Sequence, residues 1–194
     1  MSIFYNLKSD DSDVSNSESY PDVFANHNFK CKYGSEENLG NFFEFEEKSA
    51  VNLMHINTRS IKKNFDKIQE LLRNIPGALT AIAITETWLT ENLQDAFFLP
   101  GYNFISKCRH RRTGGGVGIF ICSTLNYFVR NDLCHMTDAI ESIFIEVIQI
   151  DRKNIIIGCI YRPPSNDRDY VEMFNSEFCD ILKIIDCGKA KTVY

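Results

Sequence analysis

The sequence predicts a mixed α/β fold, built as one mixed sheet or as a pair of sheets flanked by helices. Three observations carry this expectation. Apolar runs of strand length recur from residue 51 onward, two segments have helical periodicity, and the elements follow one another as strand, helix, strand, several strands, helix, strand. No internal repeat is present.

Each element has a local reason. VNLMHIN, Val51 to Asn57, reads as the first strand of the body. Beyond it Ile61, Phe65, Ile68, Leu72 and Ile75 are spaced by 4, 3, 4 and 3 residues, which lines them along one helix face. Ser60 stands where an N-cap belongs, and Pro76-Gly77 stops the helix. TAIAIT, ending at Thr85, is a buried strand. Tyr102 to Cys108, a turn at Gly114 to Gly116, Val117 to Cys122, Glu141 to Gln149 and Asn154 to Tyr161 read as consecutive antiparallel strands. Tyr170, Phe174, Phe178, Ile181 and Ile185 mark a second amphipathic helix, with Asn166 or Asp167 able to cap it and Gly188 placed to end it. Lys191 to Tyr194 begins a further strand.

The leader has a different texture. Ser9 to Ser19 holds five serines, four acids and one aliphatic residue, too little apolar surface to offset its ordering entropy. Residues 1–49 are therefore expected to be a disordered acidic, Ser-rich leader and linker, with the folded domain at residues 51–194. With 44% hydrophobic and 24% charged residues in 194, collagen, coiled-coil and wholly disordered classes are excluded. No apolar stretch approaches the ~20 residues needed to span a bilayer, and the Ser/Asp-rich start carries no secretory signal, so an intracellular, reducing location is expected. Seven cysteines without a CxxC pair fit neither a disulfide framework nor a zinc site, and are expected to be reduced and mostly buried.

The net charge of −5 hides an asymmetry: residues 1–50 hold 10 acidic and 4 basic side chains, residues 51–194 hold 16 and 17. A balance this close to neutral in the body does not by itself indicate nucleic acid, for which clustering is required. One cluster occurs: Lys107, Arg109, Arg111 and Arg112 fall within six positions, and on an extended segment 107, 109 and 111 share one side. It reads either as a solvated hairpin edge or as a surface tracking a phosphate backbone.

In α/β proteins ligands gather at the carboxyl ends of strands, so polar residues where apolar runs stop are the chemical candidates. There are three such ends. His55 and Asn57 alternate onto one face, Glu86 directly follows AIAIT, and Tyr161 follows IIIGCI. Singly each has a structural reading, Glu86 as a capping partner, Asn57 as a turn former and Tyr161 as a core edge.

Their order and context are more specific. MHINTRSI, a helix, ITETWL, TGGGVGIFI, IESIFIEV and IIIGCIYRPPS, with these gaps, closely resemble the endonuclease domain of non-LTR retrotransposons, of the jockey-like LINE type. That domain belongs to the endonuclease/exonuclease/phosphatase superfamily, related to apurinic endonucleases and DNase I. The resemblance covers about Val51 to Tyr194 and implies a four-layered α/β sandwich on two packed sheets.

It also implies roles. Glu86 would be the carboxylate ligand of Mg²⁺ or Mn²⁺, a hard cation suited to oxygen, with Asn57 beside it. His55 stands where many members carry Asn. Tyr161 matches the tyrosine that helps hold the scissile phosphate, and Pro164 replaces an Asn that often follows it. Arg59, Lys107, Arg109, Arg111 and Arg112 would approach the DNA backbone. The implied activity is nicking of target DNA so that the 3′ hydroxyl primes reverse transcription, with a reverse transcriptase encoded downstream as partner and the nucleus as location. The family's Gly-Asp-Phe-Asn and Ser-Asp-His blocks occur nowhere in the 194 residues, so this chain, a C-terminally truncated domain by that comparison, is expected to be inactive alone. Two other readings remain, a non-catalytic relic that binds nucleic acid weakly and a sugar- or lipid-phosphate phosphatase of the same superfamily.

Overall fold

The computed structural model describes residues 3–7, 51–75, 79–90 without 91–92, 93, 96–109, 114–150, 152–165, 167–187 and 192–193. Its elements in chain order are β1 (Ile3–Leu7), β2 (Val51–Asn57), α1 (Ile61–Arg73), β3 (Ala81–Thr85), β4 (Tyr102–Lys107), β5 (Val117–Cys122), β6 (Tyr127–Val129), a 3₁₀ turn at Asn131–Leu133, β7 (Glu141–Val147), β8 (Ile155–Tyr161), α2 (Arg168–Cys187) and β9 (Thr192–Val193).

Side-chain alternation decides how these elements stack. In β2, β3 and β5 every second residue (Val51, Ala81, Val117, Ile119, Ile121) meets Ile143, Ile145, Ile155, Ile157 and Cys159 of β7 and β8 in one buried cluster. That cluster is the interior between two sheets. The opposite faces, carrying Met54, Ile82, Ile84 and Phe120, close over Ile61 and Ile68 of α1, while Phe144 and Ile156 close over Ile181 and Ile185 of α2. Helix, sheet, sheet and helix therefore form four layers. Strands buried on both faces explain the near-continuous apolar runs of β5, β7 and β8, and each fully buried Ile contributes roughly 1.5–3 kcal/mol of transfer free energy.

One sheet has the order β1-β2-β3-β5-β4 and the other β6-β7-β8-β9. β2 and β3 are parallel, Asn57 opposite Thr85, with α1 as their crossover; β7 and β8 are antiparallel, Glu141 opposite Tyr161. The antiparallel strands expected as one consecutive series thus divide between two sheets, because β5 inserts between β3 and β4 and local sequence carries no signal of where a chain changes sheet.

Four expectations need correction. Ile3–Leu7 form an edge strand antiparallel to β2, against a disordered leader over residues 1–49: IFYNL is uncharged and rich in strand-forming residues, and β2 otherwise offers an unpaired edge. The Ser9 to Ser19 run lies outside the described residues. Ser60 sits at the N-cap of α1 but its side chain makes no capping hydrogen bond. The strand carrying the basic segment ends at Lys107, so Arg109 already lies beyond β4, and residues 110–113, with Arg111 and Arg112, lie outside the described residues. Cys179 and Cys187 are exposed on α2, leaving Cys108 and Cys159 as the buried thiols among six described free cysteines. At the start of α2 the expected cap is in place, the Asp167 carboxylate accepting from the Asp169 amide at 3.1 Å. No helix among the described residues is long and apolar enough to cross a membrane.

Candidate active site

Two parallel strands end side by side, and their backbone pairing continues into the turns beyond them. The Thr58 amide donates to the Thr85 carbonyl at 3.0 Å, Ser60 to Glu86 at 2.9 Å and Ile61 to Thr87 at 3.0 Å. The Thr58 hydroxyl adds bonds to the carbonyls of Thr85 and Glu86 at 3.2 and 3.0 Å. On the other side the Thr87 and Trp88 amides donate to Gly116 and Gly115 at 3.2 and 2.9 Å. Glu86 is thus clamped between the turn after β2 and the glycine turn before β5.

This clamp holds an uncommon backbone. Among the described residues the non-glycine residues with positive φ are Arg59 (42°), Ser60 (89°), Glu86 (53°) and Trp88 (54°), all in these two turns. Such conformations cost of order 1–3 kcal/mol each and persist where the surroundings over-determine them, often at functional sites. Here they lift the Glu86 side chain off the strand direction toward the junction of the two sheets.

Three of the sequence candidates converge there. The Asn57 amide nitrogen donates to Glu86 Oε1 at 3.0 Å, and the Tyr161 hydroxyl, arriving from β8 in the opposite sheet, donates to the same oxygen at 2.9 Å. Burial, followed by the Glu86 hydrogen bond and charge, pushes the Tyr161 phenol up to about 12, so it remains a proton donor across the neutral range. His55 lies one step further in on the same face. Its Nε2 is 3.2 Å from the Thr85 hydroxyl, and burial lowers its pKa below the usual 6.5, favouring the neutral ring. Arg59 is exposed, and Lys107 closes β4 opposite Val117.

Arg109 behaves differently from a solvated cation. Its Nε pairs with Glu141 Oε1, and the Glu141 side chain is fully buried at the start of β7. The other Glu141 oxygen accepts the Gly116 amide. Glu141, inside the IESIFIEV block, was not among the sequence candidates. The available signal was a carboxylate opening a strand whose centre is apolar (ESIFIEV), a placement that requires a partner for the buried charge. Thr58, Thr87 and the half-exposed Trp88 were likewise missed, and their roles come from backbone pairing that no side-chain pattern reveals.

The oxygen donors are few. Among the described residues Glu86 Oε2 has no protein partner, and Asn57 Oδ1 is left when its amide nitrogen turns to Glu86. No group of three or more His, Cys, Asp or Glu there could enclose a metal. One carboxylate plus one amide oxygen suits a hard cation that keeps most of its shell as water or phosphate oxygen, as Mg²⁺ does, and does not suit a closed protein cage.

The architecture is a four-layered α/β sandwich of the DNase I-like fold. The solved structure of the AP endonuclease LMAP from Leishmania major matches with a TM-score of 0.54 at 16% identity, over 67% of this chain and 47% of that one. The Xenopus laevis APE2 catalytic domain matches at 0.47 and 14% identity, over 68% and 54%, and the 3′-5′ exonuclease NExo from Neisseria meningitidis at 0.44 and 13%, over 69% and 50%. The chain spans about half the length of the structures it resembles. No protein-family model and no curated protein sequence matches it.

Proposed function

We propose that this chain is the Glu86-bearing part of a metal-dependent DNA endonuclease domain from a non-LTR retrotransposon, one that nicks target DNA to prime reverse transcription. The observation that carries the reading is the convergence of Asn57 and Tyr161, from separate sheets, on one oxygen of Glu86. In this reading Glu86 and Asn57 hold Mg²⁺ or Mn²⁺, which when bound neutralises charge on a phosphate oxygen. Asn57 orients the Glu86 carboxylate, and the Tyr161 hydroxyl, which donates its one proton to Glu86 Oε1 in the free protein, would turn that proton to an oxygen of the scissile phosphate lying beside it. His55, neutral and turned to Thr85, supports the strand end. Arg59 and Lys107 add salt-sensitive phosphate contacts. A reverse transcriptase encoded with the domain is the proposed partner, and the nucleus the proposed location.

Hydrolysis also needs a group that activates water and a donor for the developing charge. The described residues bring no Asp or His to Glu86 for that work. The purified 194-residue chain with Mg²⁺ is therefore expected to leave supercoiled plasmid intact. Joined to any coding sequence continuing past Tyr194 with the Gly-Asp-Phe-Asn block, it should nick, and Glu86→Ala should lower that rate at least a hundredfold. Robust cleavage by the 194 residues, abolished by Glu86→Ala, would show that the chain already holds a complete site. A downstream sequence lacking both that block and a reverse transcriptase would count against the retrotransposon reading.

A further inference from the structure

We propose that Glu141 is a positioning residue: its buried carboxylate holds the Arg109 guanidinium as a preorganised phosphate ligand beside Glu86 and Tyr161. This rests on reading that cleft as a DNA phosphate site. Glu141 and Tyr161 are direct partners on antiparallel β7 and β8, so their side chains share a face, and Tyr161 reaches Glu86 from that face. Arg109 is close enough that its charge acts on the Tyr161 phenol, opposing that of the two carboxylates.

A second ion pair on β7 sets the comparison. Arg130 donates Nη1 to Glu146, Nε to Asp132 Oδ1 and Nη2 to Asp132 Oδ2, at 2.7, 2.8 and 2.6 Å. Every nitrogen of that guanidinium is engaged by protein. Arg109 engages only Nε. Both of its terminal amino groups lack an acceptor among the described residues, while its side chain is 22% exposed. A guanidinium fixed at one edge with its outer nitrogens open is arranged for bidentate contact with a phosphate. The glycine turn explains how it fits: a Cβ on Gly115 would lie 2.5 Å from both Arg109 Nε and Glu141 Oε1, so only a bare backbone passes between the pair and the Thr87–Trp88 segment.

Trp88, the only tryptophan in the chain, has its indole nitrogen 3.8 Å from the Cβ position of Gly114 in the same turn, so its emission serves as reporter. The 194-residue chain is titrated with inorganic phosphate, and separately with duplex oligonucleotide across a salt series. Arg109→Gln and Glu141→Gln should each weaken phosphate about tenfold and lower the DNA salt slope by about 0.9. The double variant should match Arg109→Gln alone, because Glu141 acts through Arg109. It also serves as the folded control, since two glutamines satisfy each other where a single change leaves a buried charge unpaired. Additive losses, or wild-type behaviour in Arg109→Gln, overturn the proposal, as does a wild type indifferent to phosphate whose DNA slope is unchanged by Arg109→Gln. Phosphate affinity dependent on both residues in a chain that ignores DNA keeps the proposal and overturns the DNA reading.

Discussion

His55 stands on the inner face of β2, two residues before Asn57, and its ring meets the hydroxyl of Thr85, itself buried. Burial lowers its pKa from the usual 6.5, so between the folded and unfolded values the unfolded chain binds more protons. The stability held by the neutral ring is complete above about pH 6.5 and falls as pH drops through that value toward the folded pKa. Asn in its place has no proton to gain. Melting curves from pH 7.5 to pH 5 should therefore slope downward for the wild type more than for His55→Asn, and equal slopes would exclude His55 as the source. Tyr161, pushed up to about 12, does not titrate in this window, so the contrast isolates His55.

At the scale of elements, the glycine turn before β5 does more than reverse the chain. It donates an amide to Glu141, accepts amides from Thr87 and Trp88, and leaves room for Arg109. Two glycines separate backbone cost from packing cost. Gly101 has φ +82° with open space where a Cβ would stand, whereas Gly115 has φ +67° and a Cβ there would meet Arg109 and Glu141. Gly101→Ala should cost about 1 kcal/mol, the left-handed penalty alone. Gly115→Ala should cost about 3 kcal/mol or more, because the buried pair must separate. Denaturant titration of both variants checks this, and equal costs would mean that the turn yields freely.

For the whole molecule, the four layers rest on two sheets facing each other, and Cys159 lies between them. Its thiol donates to the Ile84 carbonyl of the opposite sheet at 3.4 Å, and burial pushes its pKa up to about 12. A thiol so protonated and enclosed is inert toward alkylation. Brief treatment of the native protein should modify Cys179 and Cys187 on the exposed side of α2 and spare Cys159, which should react only at the rate of global unfolding. Peptide mass spectrometry reads the sites. Early modification of Cys159 would show that the second sheet detaches on its own. The same stacking places Tyr161 beside Glu86, so the site exists only while both sheets are docked.

The elements were legible in the sequence because periodicity is a local property. Spacings of 4, 3, 4 and 3 gave α1, and apolar runs bounded by turn signals marked β3, β5, β7 and β8, although the three-residue β6 was too short to carry a pattern. Asn57, Glu86 and Tyr161 could be picked out because each is a polar residue standing where an apolar run stops, and strand ends are where α/β folds place ligands. The clamp on Glu86 and the Arg109–Glu141 pair were not legible. One is made of backbone groups from three separate turns, and the other joins residues 32 positions apart, Arg109 just past the end of β4 and Glu141 at the start of β7. Local sequence determines which face of an element is apolar. Which sheet an element joins, and so which buried charge meets which, was decided only when the apolar faces of the two sheets closed on each other.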